Sequence, residues 1–354
     1  MIALSGSIGC MKAIGARQFL PVTDPECLVA FETDVPGPGP MDLLIRVRAV
    51  AVNPVDTKIR KSLGETALES PRILGWDAAG VVESMGDEVK GFSVGDEVFY
   101  AGDLTRAGCN AEFQTVDSRI VGLKPRNWTF AESAALPLVC LTAWELLFER
   151  MGADVNGSDS GKHLLIINGA GGVGSALIPL AVRAGLNVVA TASRPESIAW
   201  CRSLGAHHVI NHRETLRPQA EALGIMQFPF IANLFNTEAY WETTTDLIAP
   251  LGALGLIVEP KEKLHIGDPL KAKCVRIAWE FMAARAKFQT PDMHVQGEIL
   301  TKISAWCDAG DFPKLETRIF DSLTTANLRE AHAAMEAGHA HGKWVLEVDA
   351  ESVR

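Results

Sequence analysis

Gly169, Gly171 and Gly174 stand in the G-x-G-x-x-G spacing, and the chemistry open to that spacing is the binding of a pyrophosphate. The first glycine permits a tight turn, the second lets the backbone approach the phosphates, and the third allows a helix to pack closely on a strand. Gly172 and Val173 complete the turn. A helix beginning there offers unpaired N–H groups and a positive dipole end, both suited to an anion. NAD sites place an Asp or Glu about twenty residues past the last glycine to hold the ribose 2′-OH. This chain offers Ser193 and Arg194 instead. A guanidinium fits a 2′-phosphate and a serine adds a hydrogen bond, so the expected cofactor is NADPH. Glu196 is the opposing residue, but it follows Pro195 in a first helical turn, where an acid complements the dipole.

The elements that position this turn are legible around it. Leu164 to Ile167 is a short unbroken apolar run, as expected of a parallel strand buried on both faces. Val173, Ala176, Leu177, Leu180, Ala181 and Ala184 form one apolar face at helical spacing, and Pro179 is expected to bend that helix. From Lys162 to about Met282 strands and helices alternate, the pattern of a doubly wound parallel sheet. Its six expected strands are Leu164 to Ile167, Asn187 to Ala192, Val209 to Asn211, Ile231 to Phe235, Ala253 to Val258, and Val275 to Phe281. Ahead of it, Met11 begins a strand, and Ile45, Val47 and Ala49 alternate with Arg46 and Arg48 as in a half-buried strand. Strand-and-turn text recurs at Gly80 to Gly86 and Val94 to Tyr100, which together indicate a small β-rich domain. Ala131 to Phe148 reads as one helix bridging into the nucleotide domain. Helices near Gln296 to Ala309 and Thr325 to Ala337, closing at Gly310 and Gly338, precede a last strand, Lys343 to Val348. These have no place in a six-stranded nucleotide domain and are assigned to the first one. The expected division is 11–137, 138–287 and a return over 288–354.

Composition bounds the classes. The chain has 354 residues, 47% of them hydrophobic, enough for two domains with their own cores. No apolar run approaches the length of a membrane span. Lys and Arg total 33 against 43 Asp and Glu, a formal net charge of −10, so nucleic acid is excluded as an expected partner. Residues Met1 to Cys10 end in Ser-Ile-Gly-Cys, but no basic residue precedes the short apolar stretch, and they are not read as a leader. Seven cysteines are scattered without a C-x-x-C pair, which fits reduced thiols in a cytosol. Cys140 and Cys274 read as core residues, and Cys109 as the lining of a cleft.

Several ordered motifs extend the reading. They are Ala51-Val52-Asn53-Pro54-Val55-Asp56-Thr57-Lys58-Ile59-Arg60, Gly75-Trp76-Asp77-Ala78-Ala79-Gly80, Leu136-Pro137 with Leu141-Thr142-Ala143-Trp144, the Gly169 to Gly174 turn, and Gly342-Lys343-Trp344-Val345-Leu346. With these, the chain resembles the medium-chain dehydrogenase/reductase superfamily, in the quinone-oxidoreductase-like branch often labelled zinc-type alcohol dehydrogenase-like. The resemblance implies an α/β protein: a GroES-like β-rich catalytic domain, a Rossmann domain with a doubly wound parallel six-stranded sheet, and a substrate cleft between them. In zinc-dependent relatives a Cys and a His match Asn53 and Trp76, and four close cysteines hold a structural zinc where this chain has only Cys109. The resemblance therefore implies no metal. His339 and His341 read as a solvated loop. Near the nicotinamide it points to Asn53, Asp56 and Thr142, with Tyr100 and Arg106 in a loop over the cleft. Their plainer roles are a turn at Asn53, a helix cap at Asp56 and a bond within its own helix at Thr142. Asn211 and His212, ending the third strand, match positions that help hold the 2′-phosphate, and Ile257 and Lys343 join the cofactor set.

Without a Lewis acid, easy acceptors are favoured, so the expected activity is NADPH-dependent hydride transfer to a quinone or an α,β-unsaturated carbonyl. Two alternatives are the alginate-lyase activity with which some relatives are labelled and a nucleotide-binding protein without turnover. A cytoplasmic homodimer is expected, formed through the last nucleotide-domain strand, whose edge would otherwise be unpaired.

Overall fold

The structure, a computed structural model, describes residues 9–338, 340–349 and 353. Met1 to Ile8 and His339 lie outside the described residues. The chain divides into two compact units, one made of residues up to Leu138 together with those from Ala283 onward, the other of Val139–Met282.

The first run of chain supplies strands β1 (Cys10–Ala16), β2 (Val29–Asp34), β3 (Asp42–Ala51), β4 (Arg72–Ile73), β5 (Asp77–Met85), β6 (Glu97–Ala101), β7 (Phe113–Asp117) and β8 (Val121–Leu123). Helix α1 (Pro54–Lys61) follows β3, and α2 (Phe130–Ala134) and α3 (Pro137–Trp144) follow β8. The second unit adds β9 (His163–Ile167), α4 (Gly172–Arg183), β10 (Asn187–Thr191), α5 (Pro195–Ser203), β11 (His208–Ile210), α6 (Leu216–Ala222), β12 (Phe228–Asn233), α7 (Trp241–Leu247), β13 (Ile248–Leu256) and β14 (Arg276–Trp279). The chain then returns through α8 (Ala284–Phe288), α9 (Val295–Asp308), β15 (Glu316–Phe320), α10 (Thr325–Glu336) and β16 (Lys343–Glu347).

In the first unit, β3 reads as the alternation demands: Ile45, Val47 and Ala49 are buried and Arg46 and Arg48 exposed. A seven-stranded sheet runs β15-β16-β3-β5-β6-β8, with β7 also on β3, and a three-stranded sheet runs β2-β1-β4. Leu43, Ile45, Leu74, Trp76, Tyr100 and Leu346 belong to its main core. The returning β16 pairs antiparallel with β3, setting Val345 opposite Ala51. That register brings the end of β3 to the start of β16.

In the second unit the sheet is wholly parallel, in the order β11-β10-β9-β12-β13-β14. Counted from β9 this is 3-2-1-4-5-6, the doubly wound arrangement, whose order reverses between β9 and β12. Leu165, Ile167, Val189, Ile231, Leu254 and Leu256 fill the core on one side. β13 starts at Ile248, five residues before the expected Ala253, because the pairing with β12 jumps register around a left-handed Leu251 at φ 63°.

The expected single helix from Ala131 to Phe148 is broken. Pro137 has no N–H to continue α2, so α3 starts afresh there, and Glu145–Arg150 then widens into a π-helical turn. Phe130–Arg150 is the one helical stretch among the described residues long and apolar enough to cross a bilayer, but 89% of its most apolar window is buried in the fold. α4, by contrast, runs four residues past Pro179 before it ends.

Candidate functional site

The glycine turn is built as its spacing requires. β9 ends at Ile167, and Asn168 takes a left-handed φ of 68° to start the turn. Asn168 N–H donates to Thr191 Oγ1 at 3.0 Å and Gly169 N–H to Thr191 O at 3.1 Å, tying the turn to the end of β10. A Cβ at Gly174 would stand 2.5 Å from the carbonyl oxygens of Asn168 and Gly169, so only a bare backbone lets α4 come this close to the turn. α4 begins at Gly172, leaving the N–H groups of Gly172, Val173 and Gly174 at a helix N-terminus without i−4 partners. Ser175 is turned inward: its Oγ donates to Gly171 O at 2.9 Å and accepts Trp200 Nε1–H at 2.8 Å.

At the carboxyl ends of β10 and β11 the basic groups converge. Arg194 Nε sits 3.2 Å from Glu196 Oε1, with the two side chains 32% and 53% exposed, a surface pair worth little in water. His212 is held below the usual histidine range by burial first, then by the charges of Arg213 and Arg194, against a bond to the Thr191 backbone. Ser193 is half-buried beside Arg194. Asn211 is spent on the loop itself, its Nδ2 donating to Glu214 and its Oδ1 accepting Arg213 N–H. Arg213 was missed in the sequence, although its place next to His212 was the available signal. Ile257 stands just past the carboxyl end of β13. The turn, the helix N-terminus and these cations together fit a dinucleotide.

In the first unit a buried polar cluster forms where β3, β5 and β16 meet. Asn53 ends the extended chain before α1, and its backbone N–H donates to Asp56 Oδ2 at 2.8 Å, so Asp56 caps the helix. Asn53 Nδ2 donates to Asp77 Oδ2 at 3.0 Å and to Ala51 O at 3.3 Å, and its Oδ1 accepts from Lys343 Nζ at 2.5 Å. Both amide hydrogens are therefore spent inside the protein. Lys343 Nζ also lies 2.8 Å from Asp77 Oδ2, and Asp77 Oδ1 accepts Leu138 N–H at 3.0 Å at the start of α3. Burial raises both carboxyls, Asp77 against the pull of Lys343 and Asn53, and Asp56 to about 7. One ammonium faces two buried carboxyls. Asp77 holds it, so the proton of charge balance belongs to Asp56, whose Oδ1 is buried with no partner among the described residues.

The other expected site residues are placed differently. Tyr100 lies not in an overhanging loop but in β6, wholly buried, its hydroxyl donating to Gln114 Oε1 at 2.8 Å. Alternation along β6 points it into the core. Arg106 is in the expected loop but clamped: Nη1 and Nη2 donate to the two Asp42 oxygens at 2.8 Å each, and Nη2 also to Thr115. Thr142 is buried in α3, in the second unit. Lys343, expected at the cofactor, is instead spent on Asp77 and Asn53. Cys109 does not line an open surface but is buried, its Sγ donating to Asp77 O at 3.5 Å, while Cys274, expected in the core, is exposed at a left-handed φ of 51°.

A zinc ion does not fit this set. Trp76 is buried with Nε1–H on Asp103 O at 3.0 Å, and Asn53 has no donor atom of the usual ligand kind to offer. Among the described residues no group of three or more His, Cys, Asp or Glu could hold a metal. The reading of His339 with His341 falls in part outside the described residues, where His339 lies.

A doubly wound dinucleotide unit joined to a largely antiparallel β-unit defines an oxidoreductase that binds a nicotinamide cofactor. The family models bear this out: the alcohol dehydrogenase GroES-like domain matches residues 39–143 and the zinc-binding dehydrogenase domain residues 204–346. A zinc-type alcohol dehydrogenase-like protein of Staphylococcus aureus is 39% identical over 96% of this chain and 100% of its own. A solved structure from Rhizobium etli, provisionally named a zinc-dependent alcohol dehydrogenase, is 42% identical over 96% of this chain and 98% of its own, with a TM-score of 0.89. The quinone oxidoreductase of Coxiella burnetii is 28% identical over 96% of this chain and 100% of its own, at 0.76. The chain belongs to the medium-chain dehydrogenase/reductase superfamily, among the zinc-type alcohol dehydrogenase-like proteins.

Proposed function

We propose that this chain is an NADPH-dependent reductase that passes hydride to a quinone or an α,β-unsaturated carbonyl without a metal. The observation that carries the reading is the closed Asn53–Asp77–Lys343 network, which spends Asn53, a residue the resemblance matches to a zinc ligand of zinc-dependent relatives, on an ion pair. With no Lewis acid to draw a proton from an alcohol, conjugated acceptors are the substrates within reach. The name of the Coxiella relative points the same way.

When bound, the nicotinamide supplies the hydride. Gly172, Val173 and Gly174 would hold the pyrophosphate through their N–H groups and the α4 dipole, while Gly171, whose own N–H is spent on Asn168 O, lets the backbone come close. Arg194, with Ser193, His212 and Arg213, takes the 2′-phosphate, and Glu196 yields Arg194 to it. Ile257 adds an apolar wall. Asp56 holds a proton in the catalytic unit, and Thr142 supplies a hydroxyl on α3. The free thiols suit a reducing compartment, and we assign the chain to the cytoplasm as a homodimer. Among the described residues β14 has only β13 as a neighbour and leaves Trp279 46% exposed, an edge that a second copy would cover.

A screen of NADPH oxidation against quinones, enones and simple aldehydes tests the reading. Turnover with the first two, unchanged after chelator dialysis, is the expected result. Turnover of simple aldehydes only, or only with added zinc, overturns it. Light scattering at micromolar concentration tests the dimer, which a monomer would refute.

A further inference from the structure

Glu145 and Glu280 are buried carboxyls in the second unit that no step above uses. Glu145 opens the π-helical turn and Glu280 follows β14 directly. Both reach one guanidinium: Arg150 Nε stands 3.0 Å from Glu280 Oε2 and Arg150 Nη2 3.4 Å from Glu145 Oε2, while Nη1 lies 3.5 Å from the half-exposed Glu149. Two buried carboxyls thus face one guanidinium, and a buried carboxylate left without a countercharge of its own keeps a proton. Glu280 Oε1 has no partner among the described residues. A second clip lies alongside: Arg276 of β14 donates from Nη1 to Met151 O at 3.0 Å, just past the π-helical turn.

The position of the pair in the chain gives it a task. The chain passes from the first unit to the second after Leu138 and back after Met282. Glu145 lies a few residues beyond the first crossing, and Glu280 just before the second. We propose that Glu145 and Glu280 form a single-proton latch that fastens the two crossing segments together and lets go when the proton is lost.

The charged groups acting on Glu280 are Glu145, which opposes its ionisation, and Arg150, which favours it, with burial the largest influence, and the balance holds Glu280 above the usual carboxylate range. A folded-state carboxyl raised in this way favours the closed state at low pH and loses that contribution as pH rises through its titration. Arg276 is engaged with the Met151 carbonyl and leaves Arg150 as the cation of the latch.

Hydrogen exchange of the cofactor-free protein across a pH series, corrected for intrinsic chemistry, tests the latch without reference to substrate. The amides of 145–153 and 276–282 should lose protection about tenfold per pH unit above the latch's titration, while β9 keeps its own. Glu280→Gln, which keeps an oxygen to accept from Arg150 but carries no charge and has no proton to lose, should hold both segments closed throughout. In deuterated buffer at neutral pH the infrared carbonyl band of a protonated acid should shrink in Glu280→Gln. Segments that follow β9 at every pH, or an unchanged acid band in the variant, overturn the latch. Should Glu280→Gln fail to fold, the wild-type exchange series decides alone.

Discussion

Lys343 Nζ lies 2.8 Å from Asp77 Oδ2, although the two residues are 266 positions apart, and their side chains are 2% and 0% exposed. The pair joins the start of β16 to the start of β5, and through Asn53 it fixes the N-terminus of α1. Removing one partner leaves a buried charge without compensation, which costs far more than the pair contributes net. Lys343→Met should therefore destabilise by about 3 to 5 kcal/mol, and Asp77→Asn added to it should recover much of that loss. Denaturant unfolding of the single and double variants checks this. A double variant as unstable as the single one would show that the ion pair is not the cause.

NADPH should bind more tightly than NADH by about ten- to a hundredfold, on the order of 1.5 to 3 kcal/mol for a charge-assisted contact. Arg194→Ala should remove most of that gap and leave NADH nearly untouched. Arg213→Ala and His212→Ala should act in the same direction and less strongly, since both groups feel one another's fields with Arg194. Titration of both cofactors against the three variants decides it. Equal affinities in the unmodified protein would show that Glu196 governs selection.

Gly174→Ala places a methyl 2.5 Å from two backbone oxygens that have nowhere to yield. The turn must shift, and overpacking of this kind costs about 1 to 3 kcal/mol. Cofactor affinity should fall at least about tenfold, with the second unit still folded by circular dichroism. Unchanged affinity would mean that the turn does not need its present closeness to α4.

The parts legible in the sequence were those carried by local pattern. The β9 strand, the glycine turn and α4 followed from an apolar run, a spacing and a helical stripe, and α9 closes at Gly310 in a left-handed φ of 76° as its glycine announced. What lay beyond reach depended on partners far along the chain. Asp77 sits inside a quoted motif, yet nothing near it reveals Lys343 or Leu138 as its partners. The resemblance sets Tyr100 in a loop over the cleft, whereas the fold buries it in β6 and satisfies its hydroxyl internally with Gln114. The break at Pro137 was written in the sequence and was overridden by the apolar run around it.

His332 is wholly buried in α10 with neither ring nitrogen partnered among the described residues. Burial first, and Arg60 second, push it down to about 3. The folded chain therefore binds this proton less readily than the unfolded one, and stability is lost as pH falls from about 6.5 toward 3, by up to about 1.4 kcal/mol per unit. His332→Phe should leave stability at neutral pH unchanged or raised and should flatten the acid limb. A variant with the same acid limb would show that other groups carry it.

Asp56 carries the opposite sign. Its carboxyl is pushed up to about 7 by burial, against the bond from Asn53 N–H and the charge of Lys343, whereas an exposed aspartate titrates near 3.9. The folded state thus holds the proton more tightly than the unfolded chain. The contribution of this group is complete below about pH 4 and is lost as pH rises toward 7, by up to about 1.4 kcal/mol per unit. Asp56→Asn keeps an oxygen to accept the Asn53 N–H, so the cap of α1 survives, but it has no proton to lose. The difference in unfolding free energy between variant and wild type, measured across this window, removes the contribution of His332 because both proteins contain it. That difference should move in favour of Asp56→Asn as pH rises and level off above about 7. A flat difference would mean that Asp56 is ionised throughout and that Lys343 serves both carboxylates, and a difference of the reverse slope would mean that Asp56 is held below its ordinary range by the cap.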